Sequence, residues 1–484
     1  MRNQEIIRRC TWIGFVMAVL IFTGCRKKET IAAELSVSSS EVVFSAEGNT
    51  ADLTITGNAQ WSINNNASWV QISKVTGNIG STAIKLTAAV NTTGATRSGI
   101  IAVTSTNGQS RRVTVSQANL IYPLYNTSPQ APDASGMSST AVQLATKMKM
   151  GINFGNTMES PGEGDWQNSK LTESYVKFVK QLGFNTVRLP VNWVWTHLSD
   201  RKKAKIDPVW LNRVKEVVGW CVANDMYVIL NSHDSPHGNA IKQDSVNAMQ
   251  KAIWEQIATA MRDFDEHLIF AGLNEPPADN AAQMTILNGY HETFIKAVRS
   301  TGGRNSYRVL VVQGPNTDPG KTYDLMNTLP VDPVPNRLMV EVHDYTPSLF
   351  TIVLAGNATW GNMIFYWGAG NHSTIEPERN ATFGEEDMVL SEMQKMKQKF
   401  VDKGIPVVLG EYAAFRRIPS YTNYIPKDLD KHNKSINDWT YYVTKQAKAH
   451  GLLPFYWEQG PVLDRLNNKV LDQGIVDALI TGSN

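Results

Sequence analysis

The feature that most constrains this chain is a short apolar run that recurs eight times between residues 149 and 457. The runs are KMGINFG, FNTVRLP, MYVILNSH, LIFAGLNE, YRVLVVQG, RLMVEVH, IPVVLGE and LLPFYW. Near-continuous hydrophobic runs of this length are typical of parallel strands that are buried on both faces. Helical patterns lie between them: Thr172 is suited to cap one helix, and Asp207 before Pro208 begins another.

Eight strands that alternate with helices predict an α/β fold, a closed (β/α)8 TIM barrel over residues 141–484. An open, doubly wound sheet is the alternative. No GxGxxG follows the first run, which disfavours a dinucleotide-binding version of that alternative.

Residues 34–118 have a different pattern, which predicts a small all-β domain. Short alternating segments such as ADLTITG, GIIAVTS and RRVTVSQA are separated by turns rich in Gly, Asn and Ser. We therefore expect an immunoglobulin-like β-sandwich. Trp61 and Trp69 are expected in its core, and sugar binding by these rings is the alternative. Residues 119–140 contain three prolines and many small polar residues, which indicates a linker.

The first 24 residues predict a secretion signal, because three arginines precede the short apolar stretch WIGFVMAVLIF and small residues follow it. The segment FTGC resembles a bacterial lipobox, which implies a lipid on Cys25 and a tether over residues 25–33. An ordinary signal peptide is the alternative. With the lipid, the chain would be secreted across the inner membrane and anchored at the outer membrane or cell surface, so that a membrane is one expected partner.

The charge of the chain gives no indication of nucleic-acid binding. Removal of residues 1–24 takes away three Arg and one Glu and leaves 43 basic and 43 acidic side chains, with no basic stripe. Only Cys221 lies beyond Cys25, so we expect no internal disulfide. The sequence does not predict an oligomeric state.

Polar residues close the predicted strands, at the end where barrel enzymes carry their active sites. In chain order they are Asn156, Arg188, His233 with Asp234, Asn274 with Glu275, Gln313, His343 with Tyr345, Glu411 and Trp457. We assign no role to Gln313, and for Asn156 a turn and a sugar contact are both open.

Two of these residues, Glu275 and Glu411, are carboxylates on the fourth and seventh predicted strands. A buried carboxylate is costly unless it is paired or used in chemistry. Two carboxylates about 5 Å apart can serve as acid/base and nucleophile in the retaining cleavage of a glycosidic bond. The sequence therefore predicts a glycoside hydrolase.

Five motifs resemble those of glycoside hydrolase family 5, the large cellulase family. In chain order over residues 148–470 they are VRLPVNW, NEP, VEVHDY, GEY and FYWEQG. Residues 34–118 resemble a BACON domain in WSINNNASWVQIS, TGNIGSTAIKLTAAVN, TRSG and VTVSQA. That domain could bind sugar or act as a spacer.

The family resemblance implies roles for the catalytic pair and its neighbours. Glu275 would be the general acid/base that keeps its proton at working pH, and Glu411 would be the nucleophile. Arg188 would lie near Glu411 and favour its ionised form, and Tyr345 would donate a hydrogen bond to Glu411. Asn274 would bind the sugar 2-hydroxyl.

The remaining roles concern the sugar itself. His343 and His233 would hold the catalytic groups and sugar hydroxyls, and Trp457 would stack beneath the sugar at the cleavage site. Many members have two consecutive His after the third strand, whereas Asp234 replaces the second here; His237 is a weak substitute. Because this loop does not present His233, Asp234 and His237 on one helix face, we expect no metal and no cofactor.

The substrate prediction starts from a long segment between the sixth and seventh runs, since loops of this length are often functional. Its aromatic residues, and two more after the second run, could stack on sugar rings or pack on one another: Phe350, Trp360, Phe365, Tyr366, Trp367, Trp193 and Trp195. We expect a retaining endo-β-1,4-glucanase that acts on β-glucan. The alternatives are an endo-acting mannanase or xyloglucanase of the same family, or a non-catalytic surface glycan-binding protein.

Overall fold

The computed structural model describes residues 32–166, 168–234, 242–354 and 361–484. The predicted signal peptide, Cys25, His237 and Trp360 lie outside these ranges. Within them, no helix is both long and apolar enough to cross a membrane. The chain divides after Leu120 into two compact units.

The first unit is a β-sandwich of two sheets, which confirms the all-β prediction. Its strands are β1 (Leu35–Val37), β2 (Glu41–Phe44), β3 (Asn49–Gly57), β4 (Trp61–Asn65), β5 (Val70–Ile72), β6 (Thr76–Gly77), β7 (Gly80–Ala88), β8 (Arg97–Ser105) and β9 (Ser110–Gln117). One sheet has the order β1-β3-β7-β5 and the other β2-β9-β8-β4-β6. Alternate residues of these strands point into one shared core.

Trp61 belongs to this core, as predicted, and Trp69 is partly buried against it. Trp61 is 2% exposed. Gly77 lies against its indole so closely that a Cβ there would come within 2.1 Å of the ring. Trp69 packs edge-on against Phe44, with the Arg97 guanidinium 4.6 Å above its ring.

The second unit contains a closed barrel of eight parallel strands, as predicted. These strands are β10 (Gly151–Asn153), β11 (Thr186–Leu189), β14 (Tyr227–Asn231), β15 (Leu268–Ala271), β16 (Leu310–Gln313), β17 (Leu338–His343), β18 (Val407–Tyr412) and β19 (Leu452–Tyr456). Two small hairpins decorate the barrel, formed by β12 (Leu198–Asp200) with β13 (Lys205–Ile206) and by β20 (Leu463–Asp464) with β21 (Lys469–Val470).

The helices of this unit are α1 (Ala141–Lys147), α2 (Glu173–Gln181), α3 (Pro208–Ala223), α4 (Gln243–Ala260), α5 (Ala281–Ser300), α6 (Pro319–Leu325), α7 (Ser348–Thr351), α8 (Glu386–Lys399), α9 (Leu429–Ala449) and α10 (Gln473–Ser483). The two predicted helix starts are confirmed. Thr172 Oγ1 accepts from the Tyr175 N–H at 3.2 Å, and Asp207 Oδ1 accepts from the Val209 N–H at 2.9 Å.

A packed apolar core fills the barrel lumen below the carboxyl ends of the strands. Inward-pointing side chains such as Ile229, Val311 and Phe455 fill it, and Leu144 of α1 belongs to the same cluster. The linker residues from 121 lie on this unit, because the N–H groups of Tyr125 and Asn126 both donate to Glu255.

A β-bulge lies at the carboxyl ends of β17 and β18. Val342 pairs with Leu409, but the next pair is His343 with Glu411, so that Gly410 is the extra residue. Bulges re-aim side chains at barrel rims. Here the bulge places Glu411 beside His343 at the barrel mouth.

Candidate active site

The two predicted catalytic glutamates meet at the carboxyl-terminal mouth of the barrel. Glu275 follows β15 by four residues, and Glu411 lies near the end of β18. One oxygen of each, together with a ring nitrogen of His343, lies within 4.8 Å of the others. The Glu411 side chain is 7% exposed, whereas that of Glu275 is 47% exposed. An approach this close is compatible with the carboxyl separation of about 5 Å found in retaining glycosidases.

Arg188 joins the nucleophile candidate to the rest of the site. Its guanidinium is fully buried at the barrel mouth. It donates four hydrogen bonds, from Nε to Glu341 Oε1 (2.7 Å), from Nη1 to Glu411 Oε1 (2.8 Å) and Asn153 Oδ1 (3.0 Å), and from Nη2 to Asn274 Oδ1 (2.7 Å). The planar fork of arginine is suited to this task, because its donors point in fixed, divergent directions.

Both oxygens of Glu411 are therefore held. Oε1 accepts from Arg188, and Oε2 accepts from the Tyr345 hydroxyl at 3.0 Å. These two donors hold the carboxylate in one orientation. The predicted contacts of Arg188 and Tyr345 with Glu411 are thus present.

Glu275 has a different environment. His343 Nδ1 lies 2.7 Å from its Oε1, while among the described residues no hydrogen bond reaches its Oε2. Burial alone would raise the pKa of Glu275, but the hydrogen bond and charge of His343 outweigh it and hold the pKa below its usual value. We expected a less compensated Glu275 that keeps its proton at working pH, whereas the structure places His343 as a compensating partner at its Oε1.

His343 carries the proton that Glu275 lacks. Its second nitrogen, Nε2, lies 3.3 Å from Glu341 Oε1. Burial alone would lower the pKa of His343, but the three surrounding carboxylates, with Glu411 the strongest, raise it to about 9. Both ring nitrogens thus face acceptors, which is the arrangement of an imidazolium.

His233, Asn274 and Trp457 form the side of the site that the family resemblance assigns to the sugar. The His233 ring stacks on Trp457 with centroids 5.9 Å apart, and its Nε2 lies 3.5 Å from Asn274 Nδ2. Burial and the charge of Arg188 lower the pKa of His233 to about 3, so that this ring is neutral. All eight predicted site residues are thus joined by direct contacts at the barrel mouth.

Asp234 stands where many family members have a second histidine, and it faces away from the catalytic pair. Its carboxylate accepts from the backbone N–H groups of Trp193, Val194 and Trp195 at 2.5–2.8 Å. It therefore orders the loop after β11. His237 lies outside the described residues.

Four of the aromatic residues that we singled out in the β17–β18 segment are buried instead of forming sugar platforms. Phe350, Phe365, Tyr366 and Trp367 are each at most 3% exposed. Trp193 is also buried and donates through Nε1 to the carbonyl of Asn231. The platform interpretation is therefore wrong for these five residues.

Among the loop tryptophans that we singled out and that the structure describes, one is accessible. Trp195 is 53% exposed on the loop that Asp234 orders. Trp166, on the loop after β10, is 43% exposed and was not singled out from the sequence.

Sequence reasoning missed the polar residues beneath the site. Glu341 is fully buried at the middle of β17, and Gln313, to which no role was assigned, donates to its Oε2 at 2.6 Å. Asn153 accepts from Arg188, and Asn231 donates to Asn274 at 3.3 Å. The signal for Glu341 was a carboxylate inside the apolar run RLMVEVH, which demands a buried partner.

The distances among Glu275, His343 and Glu411 would also allow a cation. Two positive groups, Arg188 and the His343 imidazolium, already face these carboxylates. A further cation would meet their repulsion, so the donor set fits an acid and a nucleophile better than a metal.

Comparisons with known proteins agree with this geometry. The family described as Cellulase (glycosyl hydrolase family 5) matches residues 145–461, and the family described as Viral BACON domain matches residues 34–120. A xyloglucan-specific endo-β-1,4-glucanase of Bacteroides ovatus is 31% identical over 97% of this chain and 95% of its own. Endoglucanase A of Paenibacillus barcinonensis is 30% identical over 73% of this chain and 93% of its own.

Solved structures give the same result. The structure of a Bacteroides ovatus xyloglucanase with a XXXG heptasaccharide matches with a TM-score of 0.68 and 30% identity, over 93% of this chain and all of that one. A broad-specificity endoglucanase from Bacteroides salanitronis matches with a TM-score of 0.62 and 29% identity, over 73% of this chain and 97% of that one.

Proposed function

Because this chain belongs to glycosyl hydrolase family 5, we propose that it is a retaining endo-β-1,4-glucanase that cleaves internal bonds of β-glucan polysaccharides. The observation that carries the proposal is the pair of carboxylates, Glu275 and Glu411, within 4.8 Å at the mouth of one barrel. In this mechanism Glu411 attacks the anomeric carbon and forms a glycosyl–enzyme intermediate, while Glu275 protonates the leaving oxygen. Glu275 then removes a proton from the water that releases the sugar.

The surroundings of the two glutamates fit these different tasks. Arg188 and Tyr345 hold both oxygens of Glu411, which keeps the nucleophile aimed in one direction. Glu275 is half exposed and, within the described part of the chain, is held at Oε1 alone, so that its other oxygen can exchange a proton with substrate or water. With Glu341 included, three carboxylates face two cations, and one added proton makes the cluster neutral. Once substrate is bound, Glu275 can take that proton, because its Oε2 accepts from none of the described residues, whereas donors occupy both oxygens of Glu411.

Xyloglucan is a second candidate substrate. The Bacteroides ovatus relative, which matches along nearly the whole chain, is named as specific for xyloglucan. The Bacteroides salanitronis neighbour is named as broad in specificity. A decorated glucan backbone is therefore a candidate alongside the plain one.

A substrate panel tests the proposal on the chain without residues 1–25. Reducing-end release would be measured on carboxymethylcellulose, mixed-linkage β-glucan, xyloglucan, glucomannan and galactomannan. We expect release from at least one β-1,4-glucan, together with the early fall in viscosity that marks internal attack. Activity on galactomannan alone would contradict a glucanase.

Two variants test the catalytic pair. Removal of a general acid/base typically costs 10²–10⁴-fold in rate. Glu275→Gln should lose about that much on polysaccharide and less on an aryl cellobioside with an acidic leaving group, which needs no protonation. Glu411→Gln should be inactive on both. Equal losses for Glu275→Gln on the two substrates would contradict its role as the acid.

We also propose that the mature protein is a lipoprotein at the cell surface, which rests on the lipobox-like FTGC and the apolar stretch before it. Metabolic labelling with a palmitate analogue should mark the wild-type chain and leave Cys25→Ala unlabelled. Labelling of both would refute this.

A further inference from the structure

Glu341 is a carboxylate beneath the catalytic pair that touches neither glutamate. It is fully buried on β17, two residues before His343. Its Oε1 accepts from Arg188 Nε at 2.7 Å and lies 3.3 Å from His343 Nε2, while its Oε2 accepts from Gln313 Nε2 at 2.6 Å. It therefore binds, from below, the same two cations that meet Glu411 and Glu275 from above.

The backbone is shaped around this carboxylate. A Cβ on Gly410 would come within 2.1 Å of Glu341 Oε1, so that the bulge residue must be glycine for the carboxylate to fit. Gln313 is fixed in turn, because its Oε1 accepts from the N–H of Leu273, the residue before Asn274. Strands β16, β17 and β18 thus hold Glu341 in a single position.

We propose that Glu341 is a positioning residue for the hydrolysis: its buried negative charge holds Arg188 and His343 so that the two cations reach both catalytic glutamates at once. The inference rests on the proposed function. Without Glu341, Arg188 would lose the contact that fixes the Nε side of its fork, and His343 would lose the acceptor that fixes Nε2. The ring would then be free to exist as a neutral imidazole, which has no positive charge to offer Glu275.

The charges around His343 support this direction. Three carboxylates face the ring: Glu341 from its own strand, Glu411 from β18 and Glu275 from the loop after β15. The other titratable groups of the cluster are Arg188, which binds Glu341 and Glu411, Tyr345, which binds Glu411, and His233 from the loop after β14. His233 is neutral, as is Tyr345, whose pKa burial raises further. The charge of Arg188 lowers the pKa of Glu341 to about 2 against the effect of burial, so that its negative charge is present at every working pH.

The test uses an exchange variant, Gln313→Glu/Glu341→Gln. The new amide side chain at position 341 can still accept from Arg188 and His343 and donate to position 313, and the new carboxylate at position 313 can still accept from Leu273. The hydrogen-bond pattern is therefore kept, while the charge moves one strand away from the two cations. The single variant Glu341→Asp keeps the charge with a shorter reach and serves as the conservative comparison.

The matched control is Glu255→Gln on α4, outside the barrel. Glu255 is also buried, at 3% exposure, and it accepts from the N–H groups of Tyr125 and Asn126. Its substitution should lower the melting temperature and leave the pH profile of kcat/KM unchanged.

For the exchange variant we expect kcat/KM to fall roughly 10- to 100-fold, the cost of a small misplacement of reacting groups. We also expect the alkaline limb of its pH profile to move down by about one pH unit or more, because one carboxylate no longer favours the His343 imidazolium. Glu341→Asp should recover part of the loss. A profile that matches wild type, with kcat/KM within twofold, would overturn the inference, as would the same shift in Glu255→Gln.

A measurement on the wild-type chain covers the case in which the exchange variant does not fold. In spectra of ¹⁵N-labelled histidine at pH 8, both nitrogens of the His343 ring should carry a proton, and an unprotonated nitrogen there would overturn the inference. Failure of the proposed function has a different signature, because the wild-type chain would then release no reducing ends from any β-glucan.

Discussion

Arg188→Lys is the perturbation for which the structure allows the clearest magnitude. The arginine donates four hydrogen bonds in divergent directions, two of them to the carboxylates of Glu341 and Glu411. A lysine keeps the charge but has a single nitrogen, which cannot reach both carboxylates and the two asparagines. Hydrogen bonds to charged groups contribute about 1.5–3 kcal/mol each. Loss of two of the four hydrogen bonds should lower the free energy of unfolding by about 3–6 kcal/mol.

The same substitution should also reduce turnover. Without the fork, Glu411 loses one of the two donors that orient it, and a displacement near 1 Å costs roughly 10²-fold in rate. Urea unfolding and kcat/KM on a soluble β-glucan would be measured together.

Arg299→Lys is the matched control. Arg299 also donates four hydrogen bonds, two of them to Asp332, and it is 7% exposed. It lies at the carboxyl end of α5, at the opposite end of the barrel from the mouth. The control should lose stability and keep kcat/KM. Arg188→Lys with kcat/KM within twofold of wild type and an unfolding free energy within about 0.5 kcal/mol would refute the reasoning.

Three further predictions use other parts of the structure. Because the pKa of His343 is raised to about 9, its ion pairs should stabilise the fold fully below about pH 6.5 and be lost as the pH rises to about 9. The urea concentration at the unfolding midpoint should therefore fall from pH 6 to 10. A midpoint that does not change with pH would contradict a His343 imidazolium. Burial and Asp344 raise the pKa of Glu392 to about 9, so this residue should destabilise the fold increasingly from pH 5 to 9. The melting temperature of Glu392→Gln should therefore rise relative to wild type across that range. A constant difference in melting temperature would contradict this. Asp234→Ala leaves three N–H groups without their acceptor, so it should lower the free energy of unfolding by about 1–3 kcal/mol. It should also raise KM, because the loop that carries Trp195 loses its order. An unchanged KM would show that this loop does not contribute to substrate binding.

The barrel and most of the site could be predicted from the sequence, for a physical reason. Parallel strands of a closed barrel all end on the same side, so residues that close eight separate apolar runs must meet there. The individual contacts, such as that between Arg188 and Glu411, were expected from the resemblance to glycoside hydrolase family 5, because the strand ends alone do not fix which side chains pair.

Features that depend on register and packing could not be predicted. The bulge at Gly410 decides that Glu341 fits beneath Arg188, and no local pattern indicates a bulge there. Similarly, the protonation of Glu275 depends on a ring nitrogen of His343, 68 positions away in the chain.

The number of aromatic residues in a segment does not predict whether they are exposed as sugar platforms or buried. Contacts from other elements decide whether each ring is covered. Phe365 is covered by the guanidinium of Arg417, and its carbonyl receives His432 of α9. The N–H of Trp367 donates to Ser435 of the same helix. The sequence of the segment alone contains none of this information.

The most direct test of the central claim is to trap the glycosyl–enzyme intermediate. A 2-deoxy-2-fluoro-β-cellobioside with a dinitrophenyl leaving group slows the release step more than the attack, so that the covalent intermediate accumulates. Mass spectrometry of the intact chain and its peptides should show one added fluorocellobiosyl group on Glu411, and none in Glu411→Gln. An adduct on Glu275, or hydrolysis with inversion at the anomeric carbon and no adduct, would contradict the account.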